Sequence, residues 1–577
     1  MKIFKSSLSL SLVVFLCFGP MFTSAIAGSK DEEPRNSVKS APMFSDSKRQ
    51  SELARRRAAI ADSMQDASIL VMMSAEPRIY SQNVDFMYRQ ENNFFYLTSL
   101  KQKDAALVIT KKAGVTREFL FLPRRNPQRE LWDGKMYSED DARRISGITE
   151  IIASSQFPAL MNALKNNQDH TLGESPFVSA DFKNIYMVLP NVPSDTNGFR
   201  EFGREQDVAK EIQNRKVINL RPTFARLRLV KSPYEIAMLR HAVDITIEAQ
   251  KRAMGTVRNA KWEYEVQAEV EYVFRKRNAA YWGYQSIVGC GPNATTLHYV
   301  ESQGAIRDGE ILLMDVGAEY EQYTADVTRS FPVNGKFTKE QRDIYDIVYE
   351  AQEKSAAKIR PGVLFNEGRV AAAETIEAGL ARLGLITGIG DFIPGTERTV
   401  SDGRGGTRVT GTPQYTLWFM HGWGHWLGMN VHDVGDYSTP MQPGMVFTNE
   451  PGIYIRLDAL DYMDRSNPQV ASFIEKIRPA YERYKGVGVR IEDVLMVTET
   501  GVEWLTKELP RSVADIERFM SLSGTSGMYK DAISFRRFEM PAPGFLLTNA
   551  ITAALREPVV RRVDRDSKRI HLDSHAH

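Results

Sequence analysis

Apolar residues recur at two different periods along this chain, and the change of period divides it. In SELARRRAAIADSM (51–64) they fall at helical spacing. SILVMMSA, DAALVITKK and EFLFLPRR are compact apolar runs of strand length. Helical and strand-like runs alternate from residue 51 to about 215, which predicts an α/β N-terminal domain over 51–225. RPTFARLRLVKSPYE (221–235) reads as the join. Beyond it, Ser232-Pro233-Tyr234-Glu235 is a helix start: Ser caps, Pro fits the first turn and Glu closes a capping box. Ile236, Leu239, Val243 and Ile247 follow at helical spacing. A second helix begins near Thr338, with Gln341 at the box position and Ile344, Ile347, Val348 and Ala351 on one face, and stops at Pro361-Gly362. Strand-like runs between and after the helices predict an α+β domain with antiparallel pairing over 226–510.

Two segments break the pattern. GIGDFIPGTERTVSDGRGGTRVTGTPQ reads as a long loop, and RLDALDYMDRSNPQVASFIEKIRPAYERYKG has room for a short helix. The motifs end near 511, leaving a C-terminal extension over 511–577 that closes in HLDSHAH; this reads as a solvated tail rather than a metal site. There is no internal repeat.

Composition narrows the class. The chain has 577 residues and a formal net charge of +2, which gives no general attraction to nucleic acid. Lys2 and Lys5 precede the apolar run LSLSLVVFLCFGPMF, and Ala25-Ile26-Ala27 supplies small residues, so a signal peptide over 1–27 is expected to be cut after Ala27. The mature protein is then expected outside the cytoplasm, periplasmic or secreted, with no membrane span. Residues 28–50 are polar and read as a disordered leader. Cys290 alone remains after cleavage, so no disulfide can form within the mature chain.

The chemistry lies in the C-terminal half. Asp315, Asp326, His425, Glu450 and Glu492 each sit in a short apolar or glycine-containing stretch: ILLMDVGAEYEQYTADVTRSFPV, HGWGHWLGMNVHDVG, MVFTNEPGIYI and GVGVRIEDVL. Four carboxylates brought together in a half-buried site repel one another and are poorly solvated, and divalent cations remove both penalties. Asp315 and Asp326 are eleven residues apart (326 − 315), and a hairpin turning at YEQY puts both on one face. His421, His425 and His432 lie within twelve positions of a chain that has nine histidines, but Gly-Trp-Gly argues against a regular zinc helix there. Glu450 precedes Pro451-Gly452 at a strand end, and alternation places Arg490 and Glu492 together. His298, after the Gly-Pro-Asn turn, is a candidate donor to a developing oxyanion. An oxygen-rich donor set with one imidazole favours manganese, cobalt, iron or zinc over copper. Two such ions about 3.5 Å apart suit hydrolysis at a carbonyl or phosphoryl centre.

TADVTRSFPV, HGWGHWLGMNVHDVG, NEPGIYI and GVRIEDV closely resemble signatures of the pita-bread metallopeptidases: aminopeptidase P, prolidase, methionine aminopeptidase and creatinase. DFMYRQENNFFYLTSL resembles the leading domain of aminopeptidase P and prolidase. The resemblance implies an aminopeptidase P-like N-terminal domain, a pita-bread catalytic domain and two divalent ions, manganese first. It implies that Asp326 and Glu492 bridge the ions, that Asp315 chelates one, and that His425 and Glu450 complete the other. Glu450 would also shuttle the proton of a metal-bridging hydroxide. His298 and His432 match histidines that hold the substrate carbonyl, and His421 and Arg490 match substrate-binding or site-shaping positions. Trp132, in RELWDG, resembles a tryptophan lent to a neighbouring subunit's site, which goes with a homo-oligomer. The function so implied is a Xaa-Pro aminopeptidase acting on peptides with proline second. The alternatives are a prolidase and, more distantly, a metal-free pita-bread module that binds peptide tails. Creatinase lacks this metal set, and the long leading domain disfavours methionine aminopeptidase. A generic two-metal phosphoesterase would fit the ligand types but not the flanking motifs.

Overall fold

The first helix starts earlier than its apolar pattern. Ser45 caps α1 (Asp46–Ser63) by accepting from the Lys48 N–H at 3.2 Å. Residues 46–50 are therefore helical rather than part of a disordered leader. The computed structural model describes residues 39–529, apart from 174, 191–201, 404–405 and 527–528. The expected signal peptide, the leader up to residue 38 and the tail from 530 lie outside the described residues. Packing from Pro42 onward forms one unit, and residues 39–41 before it carry no helix or strand.

The leading domain is built on a six-stranded mixed sheet. Its strands are β1 (Ser68–Met73), β2 (Ala106–Lys112), β3 (Val115–Leu122), β4 (Glu150–Ala153), β5 (Asn184–Met187) and β6 (Lys216–Asn219), in the order β6-β5-β1-β2-β3-β4. β1 is buried throughout, as its unbroken apolar run requires of a central strand. The expected join is itself helical: α2 (Arg221–Leu229) leads to α3 (Pro233–Thr256), whose Ser232–Glu235 capping box forms as the sequence predicts.

The C-terminal half is antiparallel sheet wrapped by helices. β7 (Ile287–Cys290), β8 (Ile311–Val316) and β9 (Val327–Pro332) form one sheet, with Asp315 opposite Thr328. The hairpin that follows β8 turns at Glu321-Gln322, where both residues have positive φ (47° and 61°). That conformation usually selects Asn or Gly. Here the leading domain holds it: buried Gln322 donates to the Gln90 carbonyl (3.2 Å) and to Asn92 Oδ1 (2.9 Å). Helix α3 satisfies the strand backbones from below, since Gln250 donates to the carbonyls of Met314 (3.3 Å) and Val327 (2.7 Å).

Helix α4 (Lys339–Lys358) carries the predicted Thr338–Gln341 box and buries Ile344, Ile347, Val348 and Ala351. It then fastens the segments that carry the last two candidate ligands. Gln352 donates to the carbonyls of Asn449 and Ile491, each at 3.0 Å, just before Glu450 and Glu492.

The two irregular segments are more ordered than their sequence predicts. Residues 388–416 contain a two-stranded ribbon, Arg398–Ser401 paired with Thr407–Thr410. Residues 456–485 contain the 17-residue helix α5 (Pro468–Tyr484), capped by Asn467. The extension after 511 begins as a helix, Val513–Ser526, with Ile516 and Met520 buried and Glu517 paired to Lys336 (3.1 Å) and Arg342 (3.0 Å).

Candidate active site

Each acid is delivered by a strand end. Asp315 lies on β8, one residue from its end, and Asp326 just precedes β9, opposite Gly317 in the same register, so the two are diagonal neighbours on one face. Tyr284 bridges them: its hydroxyl hydrogen-bonds Asp315 Oδ1, and Asp326 Oδ1 at 2.6 Å. Glu450 follows the strand Val446–Asn449, and Glu492 links Gly488–Arg490 to Asp493–Val497. The Glu492 N–H donates to the Thr328 carbonyl at 3.1 Å, and Thr328 Oγ1 donates to Glu492 Oε2 at 2.7 Å. Beneath it, buried Arg329 donates to the Glu492 carbonyl (2.7 Å) and pairs with Asp493 (2.6 Å).

His425 completes the cluster. It sits in irregular backbone, as Gly-Trp-Gly predicted. Its Nδ1 lies 3.1 Å from the Trp426 carbonyl, an acceptor-only group, so Nδ1 carries the proton. The Nε2 lone pair then faces Asp326 Oδ2 at 3.2 Å and Glu450 Oε1 at 3.3 Å. Three electron-rich atoms converging on one point suit a cation among them. Donor atoms of Asp326, His425 and Glu492 all lie within 4.8 Å of one another. Asp315 and Glu450 attach at either side, through Tyr284 and His425.

The electrostatics agree with that fit. Burial, followed by the charges of Asp315 and Glu450, pushes the Asp326 carboxyl well above its ordinary range. Burial and the charges of Asp326 and Glu450 do the same to Glu492. Burial raises Glu450 as well, against the pull of His425 and Arg490. At Asp315 burial opposes ionisation too, but the Arg490 guanidinium at 2.5 Å and the Tyr284 hydroxyl outweigh it and hold the carboxyl low. These shifts fix a sign. A carboxyl raised in the folded state contributes stability below the ordinary carboxylate range, and loses it as pH rises through the raised value. Metal competes with those protons. The rise in Tm on adding divalent metal to chelated protein should therefore be larger near about pH 7.5 than near about pH 5. Thermal melts at both pH values check this, and equal shifts would contradict proton-for-metal exchange at the carboxylates.

An outer ring surrounds the cluster. His432 and His298 are exposed, and the His432 ring packs edge-on against His425 at 4.4 Å between centroids. Although His432 reaches solvent, the protein around it partly desolvates its ring, and this, then the neighbouring His425 and His298, keeps it below the usual imidazole value. Tyr454 accepts from Arg490 Nη1 (2.8 Å) and lies 2.8 Å from His421 Nε2. His421 Nδ1 sits 2.7 Å from the Gly422 carbonyl, so it donates there and Nε2 accepts from Tyr454. Burial and Arg490 push His421 down to about 3, so it is neutral at ordinary pH. All nine expected residues thus stand in or around one site. Trp132 does not: it is 86% exposed on the helix Pro127–Asp133 of the leading domain. Sequence reasoning missed Tyr284, Tyr454 and Thr328. Of these only Thr328, two residues beyond Asp326 on the same strand face, had a readable signal.

The sequence matches Metallopeptidase family M24 over residues 237–499 and the Aminopeptidase P N-terminal domain over 53–172. It is 35% identical over 477 residues to Xaa-Pro aminopeptidase of Escherichia coli (strain K12), covering 81% of this chain and 97% of the relative. The chain belongs to the aminopeptidase P family. Xaa-Pro aminopeptidase 3 of Homo sapiens is 32% identical, with 78% and 80% covered. Among solved structures, E. coli aminopeptidase P with the inhibitor Pro-Leu superposes with a TM-score of 0.65 at 31% identity, covering 82% of this chain and 98% of that one. Pseudomonas aeruginosa aminopeptidase PepP gives 0.65 at 32% identity, with the same coverage. The aminopeptidase P family assignment accounts for both halves of the chain, the leading α/β domain and the pita-bread catalytic domain.

Proposed function

We infer that the protein is a metal-dependent Xaa-Pro aminopeptidase, a hydrolase that removes the N-terminal residue from peptides with proline in second position. The observation that carries this reading is a complete donor set, Asp315, Asp326, His425, Glu450 and Glu492, joined in one site of a chain similar to Xaa-Pro aminopeptidases across both domains.

Two divalent ions held there, manganese in our proposal, would acidify water and polarise the scissile carbonyl. Asp326 meets Tyr284 on one side and His425 on the other, and Glu492 shares the closest donor group with Asp326 and His425, which supports a shared role for the two acids. A solved structure of E. coli aminopeptidase P is zinc-substituted, which supports zinc as an alternative to manganese in our proposal. Glu450, raised by burial and held by Thr448 Oγ1 at 3.1 Å, would take up a proton during attack and return it to the leaving nitrogen. His298 and His432, on the open side, would donate to the carbonyl oxygen as charge develops. Arg490 holds Asp315 on one side and Tyr454 on the other, which fixes the wall carrying His421.

An Xaa-Pro bond has no N–H, so strand-like recognition is closed to it and the ring must be read by shape. An aminopeptidase needs space beyond the proline, whereas a dipeptidase caps that space. Helix α5 is fastened to the first turn of α4, through Arg483–Glu340 (3.1 Å) and Tyr484–Asp343 (3.0 Å). Glu340 and Asp343 lie about 18 Å and about 13 Å along α4 from Gln352, so this end of α5 is fastened away from the carbonyls that Gln352 holds. Xaa-Pro-Yaa peptides are expected to show higher kcat/KM than matched Xaa-Pro dipeptides. Cleavage confined to dipeptides would favour a prolidase.

We also propose export, supported by Lys2, Lys5, the apolar run and Ala25-Ile26-Ala27. N-terminal sequencing of native protein should begin at Gly28; an intact Met1 on cytosolic protein would contradict it. A homo-oligomer, with the exposed Trp132 at a subunit contact, belongs to the same proposal.

A further inference from the structure

The loop that carries His298 is closed by a carboxylate that no motif marks. Glu263 opens the helix Glu263–Lys276 and is 0% exposed. Its hydrogen-bond partners among the described residues are neutral. Oε1 accepts from the Cys290 N–H (2.7 Å) and Asn293 Nδ2 (3.0 Å), and Oε2 accepts from the Gly304 N–H (2.6 Å). The Tyr299 hydroxyl joins the same group through Asn293, whose Nδ2 reaches both it and the carboxylate. In return the Glu263 N–H donates to the Gly304 carbonyl at 3.0 Å.

These contacts have a pattern. Cys290 and Gly304 are the two ends of the loop, Asn293 lies in its first turn, and Tyr299 is the residue next to His298. Asn293 Nδ2 and the Gln303 N–H also reach the Tyr299 hydroxyl, at 3.1 and 3.3 Å. A Cβ at position 304 would stand 2.7 Å from both Glu263 oxygens, so glycine is needed for so close an approach. The His298 side chain is exposed and has no hydrogen-bond partner of its own among the described residues. Its position therefore depends on the loop.

We propose that Glu263 is a positioning residue for the hydrolysis: by closing loop 290–304 at its base and holding Asn293, which in turn reaches Tyr299, it sets where the His298 imidazole stands beside His421 and His432. The inference rests on the reading of His298 as a donor to the substrate carbonyl. Burying an unpaired carboxylate is costly, and three converging donors offset that cost only while the group offers acceptors on both oxygens. A glutamine has the same shape but one acceptor oxygen, so at least one loop donor would face its NH₂ group.

The test is a double-mutant cycle on an Xaa-Pro-Yaa peptide, using metal-loaded parent, Glu263→Gln, His298→Ala and the double variant, with metal content measured for each. Glu263→Gln is expected to keep its metal and KM and to lose about tenfold in kcat, the usual cost of losing a partner that orients a functional side chain. The double variant should fall within about twofold of His298→Ala alone, because the loop then has no imidazole to place. If the Glu263→Gln loss multiplies with that of His298→Ala, or if Glu263→Gln turns over at the parental rate, the proposal is overturned. Should Glu263→Gln fail to fold, Asn293→Ala removes one of the three contacts and is scored in the same cycle. A metal-loaded His298→Ala variant with parental kcat would reject the reading of His298 itself, and is recognised without reference to Glu263.

Discussion

Asp326→Asn and Glu492→Gln should each abolish turnover and lower bound metal. Both side chains are almost fully buried, at 4% and 1% exposure, and both contribute donor atoms to the group that closes to within 4.8 Å. Each lies among other acids, and neither amide carries the negative charge that would help hold a divalent ion. Removing one negative charge weakens attraction for metal, and the new NH₂ group points a donor where a lone pair was needed. At position 492 the loss reaches further, since Oε2 also accepts from Thr328. Elemental analysis of purified variants, alongside peptide assays, checks both parts. Full metal content with full activity would remove these residues from the centre.

His298→Ala should behave in the opposite way, keeping its metal while losing turnover by about 10²-fold, the order of cost for one oxyanion donor. The side chain is exposed, on the loop after Gly291–Thr295, and touches none of the carboxylates. It does lie close enough to His421 and His432 to depress both electrostatically. A residue so placed can reach a bound carbonyl without contributing to metal affinity. The loss should therefore appear in kcat with metal stoichiometry unchanged. Parental turnover with normal metal would make His298 structural.

The parts that sequence made legible are those whose physics is local. Capping boxes at Ser232 and Thr338 need only residues three apart, and both formed. An aspartate near the end of the apolar run ILLM had to find a partner once buried, and Asp315 does so through Tyr284 and Arg490. The ribbon Arg398–Thr410 was illegible because its residues are mostly exposed and show no apolar alternation. Helix α5 was read too short because of its many charges and Pro479, although Asn467-Pro468 is a good helix start. Tyr284, Tyr454 and Glu263 were hidden for a different reason. Each acts across more than 25 residues of sequence, on partners that only the folded chain brings near.

The most direct test of the account follows the products of one tetrapeptide, Xaa-Pro-Yaa-Zaa, by mass spectrometry. Three samples suffice: protein as purified, after chelation, and after manganese is restored. The account predicts free Xaa and Pro-Yaa-Zaa as the only primary products, lost on chelation and recovered with manganese. A metal-loaded protein that leaves the peptide intact, cuts after the proline, or works equally well after chelation would contradict it.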